Sequence, residues 1–309
     1  MVRRFGRGVV VLGRRPRRAA VLALLFLLLF GPAAGAFPRT LVDDIGQEIS
    51  LPEPPQRIVS AALALDNILL FVTDPQRVVA VTRFAADPAY SYVSDRLQPH
   101  MTIIDQLNAE QVLALDPDIV LIAVWNDPDT VHQLRDLGVK LYTFARFSTV
   151  QDALDNIARI GEITGDEERA QALIDEFHRR AQEVAARVSG RPRPAVLVWD
   201  DWGTTVGPGT SAHDIIEMAG GRNVAAEHGI VGWQTIDAEA VVRMNPDVII
   251  TPYDPNFVAR ILSDPALATV KAVRDGRVYY VQHLEALNHH FILAIEALAR
   301  LLHPEAFAE

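Results

Sequence analysis

The sequence predicts an α/β protein of two similar lobes with mostly parallel sheets, bridged by a single long α-helix. Three observations carry that prediction. Apolar, strand-length runs alternate with helical patterns on both sides of the chain's middle, the signature of parallel sheets covered on both faces. The stretch "LNAEQVLALDPDIVLI" at 107–122 returns as "IDAEAVVRMNPDVIIT" at 236–251, at a constant offset of 129 and with five identities. Between the copies, a run from Asp166 carries one apolar stripe (Ala170, Leu173, Ile174, Phe177, Ala181, Val184, Ala185, Val188). At 1.5 Å per residue, a helix of roughly 23 residues reaches about 34 Å, the width of a small domain.

Residues 1–36 stand apart from the lobes. They hold seven arginines and no acid, then the apolar run "AAVLALLFLLLF" and the small-residue stretch "AAGA" before Phe37. The run is too short to span a bilayer comfortably, and the pattern reads as a cleaved secretory signal peptide. Arg14-Arg15 and Arg17-Arg18 hint at twin-arginine export, without the rest of that pattern.

The first lobe is expected over 37–147. "TLVDDIGQEISL" alternates about Asp44–Gly46 as a hairpin would. "RIVSAAL" follows as a strand, "LDNILLFV" as a short helix, and "RVVAVT", "DIVLIAV" and "GVKLYTF" as strands. Residues 148–189 form the connecting helices. There Asp175–Arg179, Glu176–Arg180 and Glu183–Arg187 place an acid four residues before a base, the favourable order, and Ser189-Gly190 with Pro192 ends the run. The second lobe, 190–309, repeats the α/β pattern with "PAVLVW", "SAHDIIEMAGG", the second repeat copy, "GRVYYV" and a last amphipathic helix, "HFILAIEALARLL". In each repeat a short helix feeds a buried strand, so the helix starts at the edge where the parallel strands end, the edge at which such sheets bind ligands. Asn108 and Asp237 suit the N-caps, with Glu110 and Glu239 in the first turns.

Charge and composition narrow the function. The formal net charge is −10, and loss of the seven arginines with the signal leaves −17. Such an acidic protein is poorly suited to nucleic acid or anionic membranes. The chain has no cysteine, which excludes disulfides, zinc–thiolate sites, cysteine nucleophiles and a lipid-modified cysteine at the signal junction. A free, monomeric periplasmic protein is therefore expected. There is no G-x-S-x-G elbow, H-E-x-x-H, P-loop or dinucleotide fingerprint, so no catalytic residue is assigned. "GPGTS" at 207–211 reads as a turn in which Thr210 or Ser211 caps a helix.

The ordered set "RIVSAALALDNILLFV", "LNAEQVLALDPDIVLI", "TVGPGTSAHDIIEMAGGRNVAAE", "IDAEAVVRMNPDVII" and "ILAIEALARLLHPE" resembles the substrate-binding proteins of ABC importers for ferric siderophores, haem and cobalamin, along essentially the whole mature chain. The resemblance implies two α/β lobes on a rigid helical backbone, capture of a large metal chelate in the cleft, delivery to a membrane permease, and no catalysis or resident cofactor. It also implies that one glutamate from each lobe docks on the permease subunits, and Glu110 and Glu239 occupy the matching positions. Two departures stand out. Many members carry a serine–proline pair and a Thr-Glu where this chain has Ala62-Leu63 and Asp66-Asn67, and many carry an arginine where this chain has His289-His290.

The residues themselves suggest a ligand wall. Trp125, Trp199, Trp202 and Trp233 fall at strand ends or loops, as do Phe84 and Tyr253, and their flat faces suit a porphyrin, corrin or aromatic siderophore. Arg83 could pair with ligand carboxylates, and His290 could face the cleft and ligate a chelated metal. Adjacent residues diverge on a helix or strand, so His289 and His290 are not expected to hold one bare ion together. Two alternatives stay open. One is a bare divalent-metal receptor. The other is a metal-dependent hydrolase or lyase around Asp200, Asp201 and the second-lobe histidines His213, His228 and His283.

Overall fold

The computed structural model describes residues 37–284 and 286–308; the signal segment read at 1–36 lies outside them. The chain opens with the expected hairpin, β1 (Arg39–Val42) antiparallel to β2 (Glu48–Leu51). Asp43 fixes its turn, Oδ1 accepting the N–H groups of Ile45 and Gln47 at 3.1 and 2.7 Å. Gly46 sits there at φ 85°, which lacks a Cβ penalty only for glycine.

The first lobe then runs β3 (Ile58–Ser60), α1 (Leu63–Val72), β4 (Val78–Thr82), β5 (Thr102–Ile104), α2 (Ala109–Ala114), β6 (Ile119–Ala123), α3 (Pro128–Asp136) and β7 (Leu141–Phe144). Its five strands lie in the order β5-β4-β3-β6-β7, every pair parallel. Two helices follow, α4 (Val150–Thr164) and α5 (Glu167–Val188). A capping box starts α4: Thr149 Oγ1 accepts the Asp152 N–H at 3.1 Å and Asp152 Oδ2 accepts that of Thr149 at 3.0 Å. The second lobe runs β8 (Ala195–Val198), β9 (Thr204–Val206), α6 (Ser211–Met218), β10 (Arg222–Asn223), α7 (Val224–Glu227), β11 (Trp233–Thr235), α8 (Ala238–Met244), β12 (Val248–Thr251), α9 (Pro255–Ser263), α10 (Lys271–Arg274), β13 (Val278–Tyr280) and α11 (Phe291–Leu302). Its main sheet is parallel in the order β10-β8-β12-β13, and β9 pairs with β11 in a separate antiparallel ribbon.

The 22-residue α5 is the bridge, with α4 packed along it. Their approach is close at Gly161, where a Cβ would stand 2.5 Å from that of Ala170. α1 packs on both helices, and α11 packs on α5 and α6. One hydrophobic core consequently runs from Leu65, Leu69 and Tyr142 through Ile157, Phe177 and Val184 to Ile215, Ile250 and Leu298. Separate clusters cover the outer sheet faces, around Val120 and Leu134 in the first lobe and around Leu197 and Ile249 in the second. The apolar stripe of α5 is therefore the seam of a shared core. Its charged face differs from the expected pairing. Arg179 bridges Glu176 and Glu183, both at 2.6 Å, Arg180 reaches Glu296 of α11 at 2.8 Å, and Asp175 accepts from Gln171. A cross-helix partner outcompetes the local one for Arg180.

The repeat proves to be a helix-to-strand unit built the same way twice. Asn108 and Asp237 cap the N-termini of α2 and α8, accepting from Gln111 N and Ala240 N at 3.0 and 2.8 Å. Asp116 and Asn245, equivalent at the offset of 129, both take the left-handed conformation (φ 45° and 43°) at the helices' C-terminal ends. The proline that follows each prevents the helix from continuing. The aspartate common to both copies then stitches strand to strand. Asp118 Oδ2 accepts Gln56 N and Arg57 N at 2.6 and 2.8 Å, and Asp247 Oδ2 accepts Ala195 N at 2.7 Å.

Candidate ligand-binding cleft

A cavity of about 900 Å³ opens where the parallel strands of both lobes end. The first lobe lines it with residues at the ends of four of its five strands: Ala61–Ala64 after β3, Thr82 and Phe84 at β4, Ile104–Leu107 at β5, and Trp125–Asp127 after β6. The second lobe contributes Pro252 and Tyr253 after β12, and His283, Leu284, Ala286 and Leu287 after β13. Carboxyl ends of strands beside a change in strand order form the ligand crevice of open α/β sheets, and β3 sits at that change here.

Buried polar contacts hold the wall in place. Asn126 ties β6 to β3, with Nδ2 donating to Ala61 O and Oδ1 accepting from Ala123 N, both at 2.8 Å. Asp66, fully buried in the first turn of α1, accepts the N–H and hydroxyl of Thr82 through Oδ2 and so fixes the end of β4 that presents Phe84. Its Oδ1 has no hydrogen-bond partner. Burial pushes this carboxyl up to about 7, against the lowering effect of the nearby Ser60 hydroxyl and of the Thr82 hydrogen bonds. Ser211 Oγ donates to Leu284 O at 2.9 Å and pins the second-lobe loop to α6.

An aromatic and histidine cluster joins the lobes beside the cavity. Tyr92 of the first lobe hydrogen-bonds His283 through Nδ1 and stacks on His290, with centroids 4.1 Å apart and planes at 12°. Phe71 meets His289 and His290 edge-on, and the Arg96 guanidinium lies 3.8 Å from the Phe71 centroid. Burial, then the positive Arg96 and Arg180, push His289 down to about 4. Burial, then the neighbouring His289 and His283, push His290 down to about 3. Both imidazoles are neutral at physiological pH.

Of the aromatics expected in the wall, Phe84, Trp125 and Tyr253 line the cavity, and Trp125 remains 54% exposed while its ring leans on Phe147. Trp199 does not. It packs on Phe257 in the outer core of the second lobe at 9% exposure, because side chains alternate along β8 and Trp199 shares the face of Ala195 and Leu197. Trp202 stands on the rim against Tyr253, centroids 5.3 Å apart, and Trp233 lies exposed on β11 opposite Val206; neither lines the cavity. Arg83 is also outside the lining, held by Asp105 at 2.8 Å with its guanidinium 4.7 Å from the Phe84 centroid. His290 stands behind the lining on Tyr92, while His283 faces the cavity in its place. Tyr90, Tyr92, Asn67 and Asp127 also stand in the wall, where none of them was expected. The aromatic repeat in "AYSYV" was the available signal for the tyrosines.

The remaining candidates also have places. Glu110 and Glu239 are solvent-exposed at the starts of α2 and α8, Glu110 three residues beyond the cavity-lining Leu107. Asp200 and Asp201 do not act as a carboxylate pair: Asp200 Oδ1 accepts Trp202 N and Thr204 N in its own turn, and Asp201 faces Arg260 at 3.7 Å. His213 contacts Asn223 and His228 its own helix carbonyl at Val224. Among the described residues, no three histidine, aspartate or glutamate side chains come together as a metal-ion site.

Comparison with known proteins agrees with this geometry. A family model described as periplasmic binding protein matches residues 58–283. The cobalamin-binding protein of Halobacterium salinarum is 28% identical over 283 residues, covering 87% of this chain and 74% of that protein. An uncharacterised ABC transporter substrate-binding lipoprotein of Bacillus subtilis is 26% identical and covers 88% of both chains. The apo structure of the periplasmic haem-binding protein RhuT from Roseiflexus superposes with a TM-score of 0.68 at 24% identity, over 81% of this chain and 99% of that one.

Proposed function

The chain belongs to the periplasmic binding protein family, and on that premise we propose that it is the substrate-binding component of an ABC importer, taking up a large metal chelate (an iron siderophore, haem or corrinoid) and delivering it to a permease. The observation that carries this reading is the cavity of about 900 Å³ between the lobes, walled by aromatic faces from both. Pockets of 300–1,000 Å³ with apolar walls and a few placed polar groups suit whole organic ligands. That size, and the lack of a grouped donor set among the described residues, favour a chelate over a bare ion. The naming of one relative for cobalamin and a fold neighbour for haem supports the same ligand class. No reaction is catalysed.

In this reading residues 1–36 direct export and are removed, and the mature chain, lacking cysteine for lipid attachment, works as a free periplasmic monomer. Residues 37–147 and 190–309 are the two binding lobes and 148–189 their spacer. Phe84, Trp125 and Tyr253 contact the chelate. Glu110 and Glu239, exposed on equivalent helices, dock on the two permease subunits, where such charges govern association and register. The test is uptake by cells carrying Glu110→Ala with Glu239→Ala. Ligand affinity and folding are expected to stay intact while uptake is lost; normal uptake by the double variant overturns the docking assignment.

A further inference from the structure

Resting on the receptor reading, we infer that the cleft selects by charge: it takes a chelate of zero or positive net charge and disfavours polyanionic ones, with Asp105 setting that exclusion through its hold on Arg83.

The lining supplies the first argument. Among its described residues the formally charged side chains are Asp105 and Asp127, and neither lysine nor arginine is present. His283, the remaining ionisable base in the wall, is pushed down by burial, which disfavours its charged form. The polar groups that do line it, Asn67, Gln106, Asn126 and Thr130, suit neutral hydrogen-bonding partners such as amides.

The rim supplies the second. Two guanidiniums stand close to the mouth, and each already has a carboxylate. Arg83 is held by Asp105 at 2.8 Å, and Arg260, on the helix that follows Tyr253, is held by Asp254 at 3.1 Å and faces Asp201 at 3.7 Å. Arg96 lies over Phe71 and does not line the cavity. A ligand carboxylate or catecholate reaching for Arg83 meets a guanidinium whose charge Asp105 already offsets, and that acid stands beside the incoming negative charge. The N-terminus of α1 has no side-chain cap and offers positive potential at Leu63 and Ala64. That end carries a dipole without a formal charge and serves a ligand carbonyl, while the charged side chains of the wall, Asp105 and Asp127, set its sign.

The experiment is equilibrium titration of the purified mature protein with three chelates that span the charge range: cyanocobalamin (neutral), haem (two propionates) and a ferric tris-catecholate (three negative charges). Unpaired like charges across an interface weaken the anionic ligands by on the order of a hundredfold. Asp105→Asn, at an exposed position where folding is not at stake, frees Arg83 and narrows the neutral-to-anionic affinity ratio about fivefold. Added salt screens the repulsion, so it strengthens anionic binding to the wild type and weakens it to Asp105→Asn. Tighter binding of an anionic chelate than of the neutral one, or a ratio unmoved by Asp105→Asn, overturns the inference while leaving the receptor reading standing. Binding of none of the three overturns the receptor reading and the inference with it.

Discussion

Asp66 offers a sharp physical test, because it is a fully buried carboxyl with one oxygen unpartnered and the other holding the strand end beneath the cavity. Its carboxyl is raised from 3.8 to about 7 in the folded protein. The folded state therefore binds a proton that the unfolded state has released between those values. Its contribution to stability is fully present below pH 3.8 and is lost as pH rises through 7. A shift of about 3 units corresponds to on the order of 4 kcal/mol. Asp66→Asn removes the titration and keeps the contacts. The amide oxygen accepts from Thr82, and the NH₂ takes the place of the unpartnered Oδ1. Urea unfolding of both proteins from pH 4 to pH 8.5 isolates this site, since all other groups cancel in the difference. The variant should gain on the wild type steadily from pH 4 to 7 and hold a constant advantage above. A pH-independent difference would refute the assignment of the raised carboxyl to Asp66.

Other outcomes follow from the same geometry. Trp125→Ala and Phe84→Ala should each weaken chelate binding by about 2 kcal/mol, as loss of a stacking anchor does, in a calorimetric titration. Trp199→Ala should instead leave affinity close to wild type and lower unfolding stability by about 3–5 kcal/mol, because its ring fills the second-lobe core. His289 and His290 are held below their ordinary range, so stability should fall as pH drops from 6.5 toward 4 while the unfolded state takes up their protons. Replacing His289 by leucine should shallow that decline in acid-unfolding curves, and an unchanged curve would remove the buried neutral imidazole from the account. With one core running through α5 into both lobes, X-ray scattering profiles with and without bound chelate should nearly superpose; a large closure on binding would contradict the rigid bridge.

The fold was legible because its signals are periodic and repeated. The apolar runs became the β3, β4, β6, β7, β8, β12 and β13 strands, and the stripe of α5 became the seam between lobes. The strands that escaped are β5, β9, β10 and β11, two or three residues long and too short for any alternation to register, and the helices α3 and α9 also went unannounced. The cleft was legible in part. Placement at a strand end found Trp125, Phe84 and Tyr253, which line it. Trp199, also near a strand end, lies elsewhere because its parity with Leu197 along β8 decides its face. Arg83 shows a different limit: its partner Asp105 lies on a neighbouring strand's exit, a pairing that only the order β5-β4 creates. His283 and Tyr92 meet across the two lobes, 191 residues apart, and no local pattern announces such a contact.

The central claim, that the cleft between the lobes holds a metal chelate, is tested most directly by the visible absorption spectrum of the protein purified from its native periplasm. A chelate, haem or corrin band, present at one equivalent per chain and abolished in Trp125→Ala with Phe84→Ala, is the result predicted. A colourless protein carrying stoichiometric zinc would contradict it.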